Sequence, residues 1–376
     1  MSPRKIGVIT VPIYKSGNPP LSHLMEILDG FSDNLYLLTG NDGYTFFKQD
    51  LRFHVEGWVY RNQNNLLVSR LFRYIWIQFL IAYRIILHRK HVDLWIFFFG
   101  GYRLHVPIIV AKLFKKKVVL LLADSGGKHT GASRCPTFSR PLILVNYPYK
   151  SADKIVIYSS RLISLWGLES YRKKIFIAHE HYLNFELFRK TTEFRDRQLV
   201  IGFFGRFSSE KGIRNFIEAL PAVRGMYPDI SIIIGGDGPL GDELKILLDT
   251  ERLTGHVHLT GWIAHDDLPG YLNRLRLLVV PSYTEGLPNI VLEAMACGTP
   301  VLATPVGAIP DIITEDETGF IMETNSPSCI TENIIRVIAS PRLERIAENG
   351  RVFVQENYSF EKTVDTWRSL LENPDT

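Results

Sequence analysis

Short apolar runs alternate with longer amphipathic stretches along most of this chain, and that alternation limits the possible folds more than any other feature. The runs at 6–11, 35–39, 94–99, 118–122, 154–158 and 175–178 fall in the first half, and those at 199–203, 230–234, 257–259, 277–280 and 301–303 in the second. Runs of this length bounded by Gly, Pro or polar residues read as buried strands. Strands separated by helical stretches pair in parallel, because a parallel partner needs a long crossover and a hairpin does not. The predicted fold class is therefore α/β, with mostly parallel sheets covered by helices on both faces. A length of 376 residues, 46% of them apolar, fills two cores better than one. The polar stretch 189–198 reads as the linker, which gives domains at 1–190 and 191–355. An amphipathic helix follows at 356–376, with Ser359 as its N-cap candidate.

The formal charge of +4 hides a division. Residues 1–200 hold 29 Lys/Arg against 14 Asp/Glu, and residues 201–376 hold 14 against 25. A basic first half attracts an anionic surface or substrate, unless it is only a solvated face. Within it, the apolar stretch 71–87 is interrupted by Arg73 and Arg84, so it is too short to span a bilayer and reads as a domain helix. Its aromatics beside Arg70, Arg73, Arg84, Arg89 and Lys90 fit either core packing or contact with a membrane surface. Cys135, Cys297 and Cys329 are odd in number and far apart, which suggests neither a disulfide framework nor a metal site. With strand-like residues starting at Ile6 and no secretory pattern ahead of them, a cytoplasmic location is expected, with peripheral attachment to the cytoplasmic membrane face as an option.

The second half carries the chemistry. After the run ending at Phe203 come Gly205, Arg206, Lys211 and Gly212, where glycine admits a close backbone approach and a following helix start attracts oxyanions. Arg206 offers a rigid fork of donors and Lys211 a mobile point charge, which suits a diphosphate; the plain alternative is an ordinary basic loop. Gly235, Gly236 and Gly238 follow the next run, and Gly307 follows the run at 301–303. Between them, Glu285-Gly286-Leu287-Pro288-Asn289 breaks the backbone before an apolar helical run holding Glu293. Glu285 is thus expected on a loop and Glu293 on a helix. A sugar contact at Glu285 and a bidentate hold on ribose hydroxyls at Glu293 compete with a surface acid and a helix acid favoured by the dipole. Spacing alone does not make the pair a hydrolase dyad, since that depends on the distance between the carboxyls.

Taken in order, Gly205-Arg206 with Lys211-Gly212, Gly235-Gly236-Asp237-Gly238-Pro239, Pro281-Ser282 with Glu285 to Asn289 and Glu293-Ala294, and Gly298-Thr299-Pro300-Val301 resemble the retaining nucleotide-sugar glycosyltransferases of glycosyltransferase family four. The resemblance is strong over 199–371 and rests on fold pattern alone over 1–190. It implies the GT-B fold, in which two Rossmann-like domains face an interdomain cleft. The activity implied is transfer of a hexose-type sugar from a nucleoside diphosphate sugar to a hydroxyl of a glycan or lipid-linked saccharide, with no metal cofactor. By the same resemblance Arg206 and Lys211 clamp the diphosphate, Glu293 holds the ribose and Glu285 meets the sugar. Gly205 and Gly236 give the donor room, and backbone amides around Gly286, Leu287 and Asn289 assist. Asp266-Asp267 is then an exposed helix start rather than a metal motif, and the last helix returns to the first domain.

Departures fall on the acceptor side. The family's Gly-rich first loop is replaced by 15–20 with a single glycine, and its active-site histidine by Asp124, with His129 further along. Asp124 is the candidate for orienting the acceptor. Ala178-His179-Glu180-His181-Tyr182 stands where a Pro-Asn-Gly approach is usual, and its histidines lack a third metal ligand. An anionic acceptor such as a polyprenyl-diphosphate-linked saccharide suits the basic half. A soluble oligosaccharide acceptor, a sugar-nucleotide epimerase or phosphorylase, and a non-catalytic glycan-binding protein are the alternatives. Nucleic acid is disfavoured because no recognition module accompanies the basic residues.

Overall fold

The computed structural model describes residues 5–14, 17–59, 67–123 and 142–372. They form two compact units: Met1–His181 together with Thr363–Thr376, and Tyr182–Lys362.

Unit 1 contains β1 (Ile6–Ile13), β2 (Leu35–Asn41), β3 (Phe53–Trp58), β4 (Leu94–Phe98), β5 (Lys117–Leu122), β6 (Lys154–Ile157) and β7 (Ile175–Ile177). They make one sheet in the order β3-β2-β1-β4-β5-β6-β7, and each pairing is parallel. Central strands such as Leu-Trp-Ile-Phe-Phe in β4 are buried on both faces, which is why they read as unbroken apolar runs rather than alternating ones. Unit 2 contains β8 (Val200–Phe204), β9 (Ser231–Gly235), β10 (Val257–Gly261), β11 (Leu277–Val280), β12 (Val301–Ala303) and β13 (Phe320–Ile321). Their order is β10-β9-β8-β11-β12-β13, again all parallel. The expected α/β class with parallel sheets is what the chain adopts.

Two strands were not expected, β3 and β13. β3 is an edge strand whose Phe-His-Val-Glu-Gly-Trp sequence is mostly half-buried, and β13 has only two residues. The stretch 189–198 is not a loose linker. Phe194 and Arg197 are buried in unit 2, and Asn273 clasps the stretch by accepting from the Thr191 amide and donating to the Arg189 carbonyl. The Arg197 guanidinium donates to the carbonyls of Leu275, Cys297 and Thr192 and to the Thr299 hydroxyl. Burial pulls its pKa down to about 10, and the carbonyl dipoles around it, with the charge of Glu193, work against that fall.

The last helix, Phe360–Glu372, packs by its Trp367 edge into unit 1. Trp367 donates to the His179 carbonyl and Thr363 to the His181 carbonyl. The Lys362 amide bonds the Ser359 hydroxyl, as an N-cap requires.

Candidate functional site

In unit 2 the chain runs outward from β8 to β9 and β10, then returns to place β11, β12 and β13 on the other side of β8. The strand order therefore reverses between β8 and β11, and in open α/β sheets the crevice at that reversal, beyond the carboxyl ends, is where ligands bind. The loop after β8 carries Gly205, Arg206 and Lys211, and the loop after β11 carries Ser282, Glu285 and Gly286. Both converge on the reversal point.

They touch. The Lys211 ammonium lies 2.7 and 2.8 Å from the two oxygens of Glu285, and the Ser282 hydroxyl donates to the same carboxylate at 2.6 Å. Ser282 is itself anchored, since its carbonyl accepts from the Thr304 hydroxyl at 2.5 Å. A backbone bond from the Tyr283 amide to the Glu210 carbonyl ties the loops again. Two glycines allow the approach. At Gly212 (φ +68°) a side-chain carbon would stand 2.0 Å from the Pro281 carbonyl, and at Gly307 (φ +60°) it would stand 2.1 Å from that of Glu285.

Glu285 and Glu293 are only 7% and 5% exposed, so Glu285 is not the surface acid that sequence left open, and Glu293 lies beyond the first turn of its helix, where the dipole would favour an acid. Glu285 lies on the loop and Glu293 in the Asn289–Ala296 helix, as the Gly and Pro break predicts. The Glu293 carboxylate pairs with His265 Nε2 at 3.2 Å, and the imidazole ring meets Phe188 edge-on. This bond to Glu293 holds the His265 pKa above its usual value, against partial burial. Sequence reading missed His265; it had considered this stretch only for Asp266-Asp267, both of which are exposed ahead of the Leu268–Leu272 helix.

Arg206 is exposed on its loop. Burial raises the neighbouring Glu210 pKa, but the Ser208 hydroxyl, a backbone amide and the charges of Arg206 and Lys211 outweigh it and leave that carboxyl below its usual value. The Gly205 amide is bonded to the Gly235 carbonyl and the Gly236 amide to the Gly261 carbonyl, so these glycines supply space rather than donors. Among the described residues the amides of Gly286 and Leu287 donate to no backbone carbonyl. Asn289 opens the helix that carries Glu293, where first-turn amides lack intrahelical partners. Within the described residues no group of three or more His, Cys, Asp or Glu is arranged to hold a metal ion.

Unit 1 reverses its strand order between β1 and β4. At that point a cavity of about 280 Å³ opens, walled by Val11, Ile13, Tyr14, Phe99, Tyr102 and Leu122 with backbone from Gly17 and Gly100. Asp124 and His129 lie outside the described residues. His179, Glu180 and His181 are packed rather than displayed. Glu180 is fully enclosed, accepts from the Tyr158 hydroxyl at 2.5 Å, and burial pushes its pKa up to about 7. Burial pulls the neighbouring His179 down to about 4.

The fold is shared with known proteins. Residues 184–353 match the family described as glycosyl transferases group 1. The Anabaena protein Alr3699/HepE, solved with UDP, superposes with a TM-score of 0.78 over 97% of this chain and 99% of that one, at 19% identity. The fold is of the GT-B type. This GT-B chain is 31% identical over 171 residues to the uncharacterized glycosyltransferase MJ1178 of Methanocaldococcus jannaschii, covering 45% of this chain and 47% of the relative. It is 26% identical over 203 residues to the alpha-D-kanosaminyltransferase of Streptomyces kanamyceticus, covering 52% and 53%. The matches thus span about half the length of these relatives.

Proposed function

We propose that this GT-B chain is a retaining, metal-independent glycosyltransferase that moves a hexose from a nucleoside diphosphate sugar to an acceptor hydroxyl. The observation that carries the proposal is the pairing of Lys211 with the buried Glu285 at the reversal point of the unit 2 sheet, beside a second buried acid, Glu293. A diphosphate needs cations, a ribose needs an acceptor-only group and a pyranose needs hydrogen-bond acceptors, and one strand edge carries all three. Arg206 and the released Lys211 take the diphosphate and stabilise the charge that grows on it as the glycosidic bond breaks. Glu285, still fixed by Ser282, faces the sugar, and Glu293 takes the ribose hydroxyls. Gly205 and Gly236 leave room for the nucleotide, while the amides around Gly286, Leu287 and Asn289 complete the phosphate and sugar contacts. HepE has been solved with UDP and with UDP-glucose, which makes a uridine donor the first to test.

The acceptor side is assigned to the first domain, with Asp124 orienting the hydroxyl. The acceptor is a glycan or polyprenyl-diphosphate-linked saccharide at the cytoplasmic face of a membrane, whose anionic surface complements the basic first half. Incubating the protein with UDP-glucose and lipid-linked acceptors, then weighing the products, tests donor and acceptor together. Glu285→Ala and Arg206→Ala are each expected to fold normally and lose at least about a hundredfold in transfer. Full transfer by either variant would refute the assignment.

A smaller effect is expected at His265. A nucleotide that claims Glu293 must displace the imidazole, and protonation strengthens the bond that has to break. UDP affinity should therefore fall as pH drops through the raised His265 pKa, by at most about tenfold per pH unit for one coupled proton. Calorimetric titration of UDP with His265→Asn should show the dependence flattened.

A further inference from the structure

Surface helices normally turn charge outward, whereas the outward face of the Leu67–Leu87 helix is largely apolar. Its inward residues Ile77, Gln78, Ile81, Ala82 and Ile85 are buried against unit 1. Its outward stripe is apolar for about four turns: Phe72 is 70% exposed, Phe79 62%, Tyr83 57%, Leu71 55%, and Ile75 and Leu87 44% each. An exposed apolar stripe of this length, on a helix whose other face is packed on protein, marks a surface that protein or lipid covers. The neighbouring His105–Leu113 helix packs beside it and adds Ile109, Leu113 and Phe114, with Arg89 lying over the Phe114 ring.

The charge around this surface selects what covers it. Residues 67–117 contain ten Lys/Arg and one acid, Asp93, which Lys116 engages at 2.8 Å; Glu56 pairs with Arg84 at 2.6 Å and Asp153 with Lys112 at 2.8 Å, so three of the ten are already matched. Arg89, Lys90, Lys115 and Lys117 are exposed where the two helices end. A second copy docked by the same face would bring these cations against their own equivalents. An anionic bilayer would neutralise them while taking up the aromatic and aliphatic stripe. The helix has its other side packed on the protein, and among the described residues no helix is long and apolar enough to cross a membrane, so contact with a bilayer would lay it in the plane of the interface.

We propose that the outward face of Leu67–Leu87, together with Ile109, Leu113 and Phe114, is the membrane-contacting surface of this protein and inserts among the headgroups of an anionic bilayer. This rests on the reading of the chain as a transferase with a membrane-borne acceptor. It adds the surface that would hold unit 1 at that membrane.

The test is co-sedimentation of the full chain with phosphatidylcholine vesicles with and without phosphatidylglycerol, alongside UDP-glucose binding. The parent is expected to prefer the anionic vesicles. Phe72→Asp combined with Phe79→Asp should weaken vesicle binding by about tenfold or more and leave UDP-glucose affinity unchanged. Arg89→Glu combined with Lys90→Glu should abolish the preference for anionic lipid. Should the aspartate pair disturb folding, Leu71→Ser with Tyr83→Ser probes the same stripe and should also weaken binding several-fold. Parent-like vesicle binding by a folded stripe variant overturns the proposal, as does a parent that ignores both vesicle types. A parent that forms a dimer dissolved by the stripe variants, with no vesicle binding, overturns it in favour of a second copy. A parent that binds vesicles but not UDP-glucose refutes the donor assignment and leaves the surface standing.

Discussion

Lys211→Ala is expected to reduce kcat/KM for sugar transfer by about a hundredfold to a thousandfold, the usual cost of deleting a donor aimed at developing oxyanion charge. In the proposed reaction the ammonium has two roles. In the structure it sits on both Glu285 oxygens. With a donor bound it has to swing to the diphosphate, leaving Glu285 to the sugar and to Ser282. Removing it deletes the phosphate contact and also strips the main counter-charge from a carboxylate that is 7% exposed. The two losses share one partner, so Lys211→Ala and Glu285→Ala should combine less than additively. Lys211→Arg keeps the charge but not its reach or point-like shape, and should recover only part of the rate. The checks are steady-state kinetics of the single and double variants and their thermal unfolding. Lys211→Ala activity within a few-fold of the parent would detach this loop from the chemistry.

Why Lys211 and Glu285 could be given roles from sequence, while Ser282 was a motif residue without one and His265 was missed, is a matter of what each signal depends on. A strand buried on both faces must be a continuous apolar run, so the central strands stood out. β3 did not, because an edge strand tolerates His, Glu and Gly on its open side. Glu285 and Glu293 were separable because a Gly and a Pro stand between loop and helix, and backbone chemistry acts locally. The bond from His265 to Glu293 depends on two elements meeting in space, as does the grip of Ser282 and Thr304 on the Glu285 loop. Arg197 is the sharpest case. In sequence it is one more charge in a polar stretch, yet it is 5% exposed and binds carbonyls far along the chain. Its hydrogen-bond partners are backbone carbonyls and the Thr299 hydroxyl, which no charge pattern in the sequence reveals.

Glu180→Gln is expected to stabilise unit 1 at alkaline pH and to do almost nothing in acid. The folded state holds Glu180 with a pKa of about 7 against an ordinary value of 4.5, because burial penalises its charge more than Tyr158 relieves it. A folded pKa raised above the unfolded one means that the contribution is complete below about pH 4.5 and is lost as pH rises through about 7. The gap of two to three pH units corresponds to about 3 kcal/mol withheld from stability at about pH 8. Glutamine copies the neutral carboxyl, since its carbonyl oxygen still accepts from Tyr158, and it escapes the cost of ionisation. His179 acts in the opposite sense. Its folded pKa is depressed to about 4, so its penalty is absent above about pH 6.5 and grows as pH falls. The two slopes nearly cancel in between, and the parent should show a flat stability profile over that range with Glu180 as the dominant cost above it. Urea unfolding of unit 1 at about pH 8 and about pH 4.5 measures this. The glutamine variant should gain most of about 3 kcal/mol in the first condition and little in the second. An equal gain at both would mean that packing, not ionisation, sets the cost of Glu180.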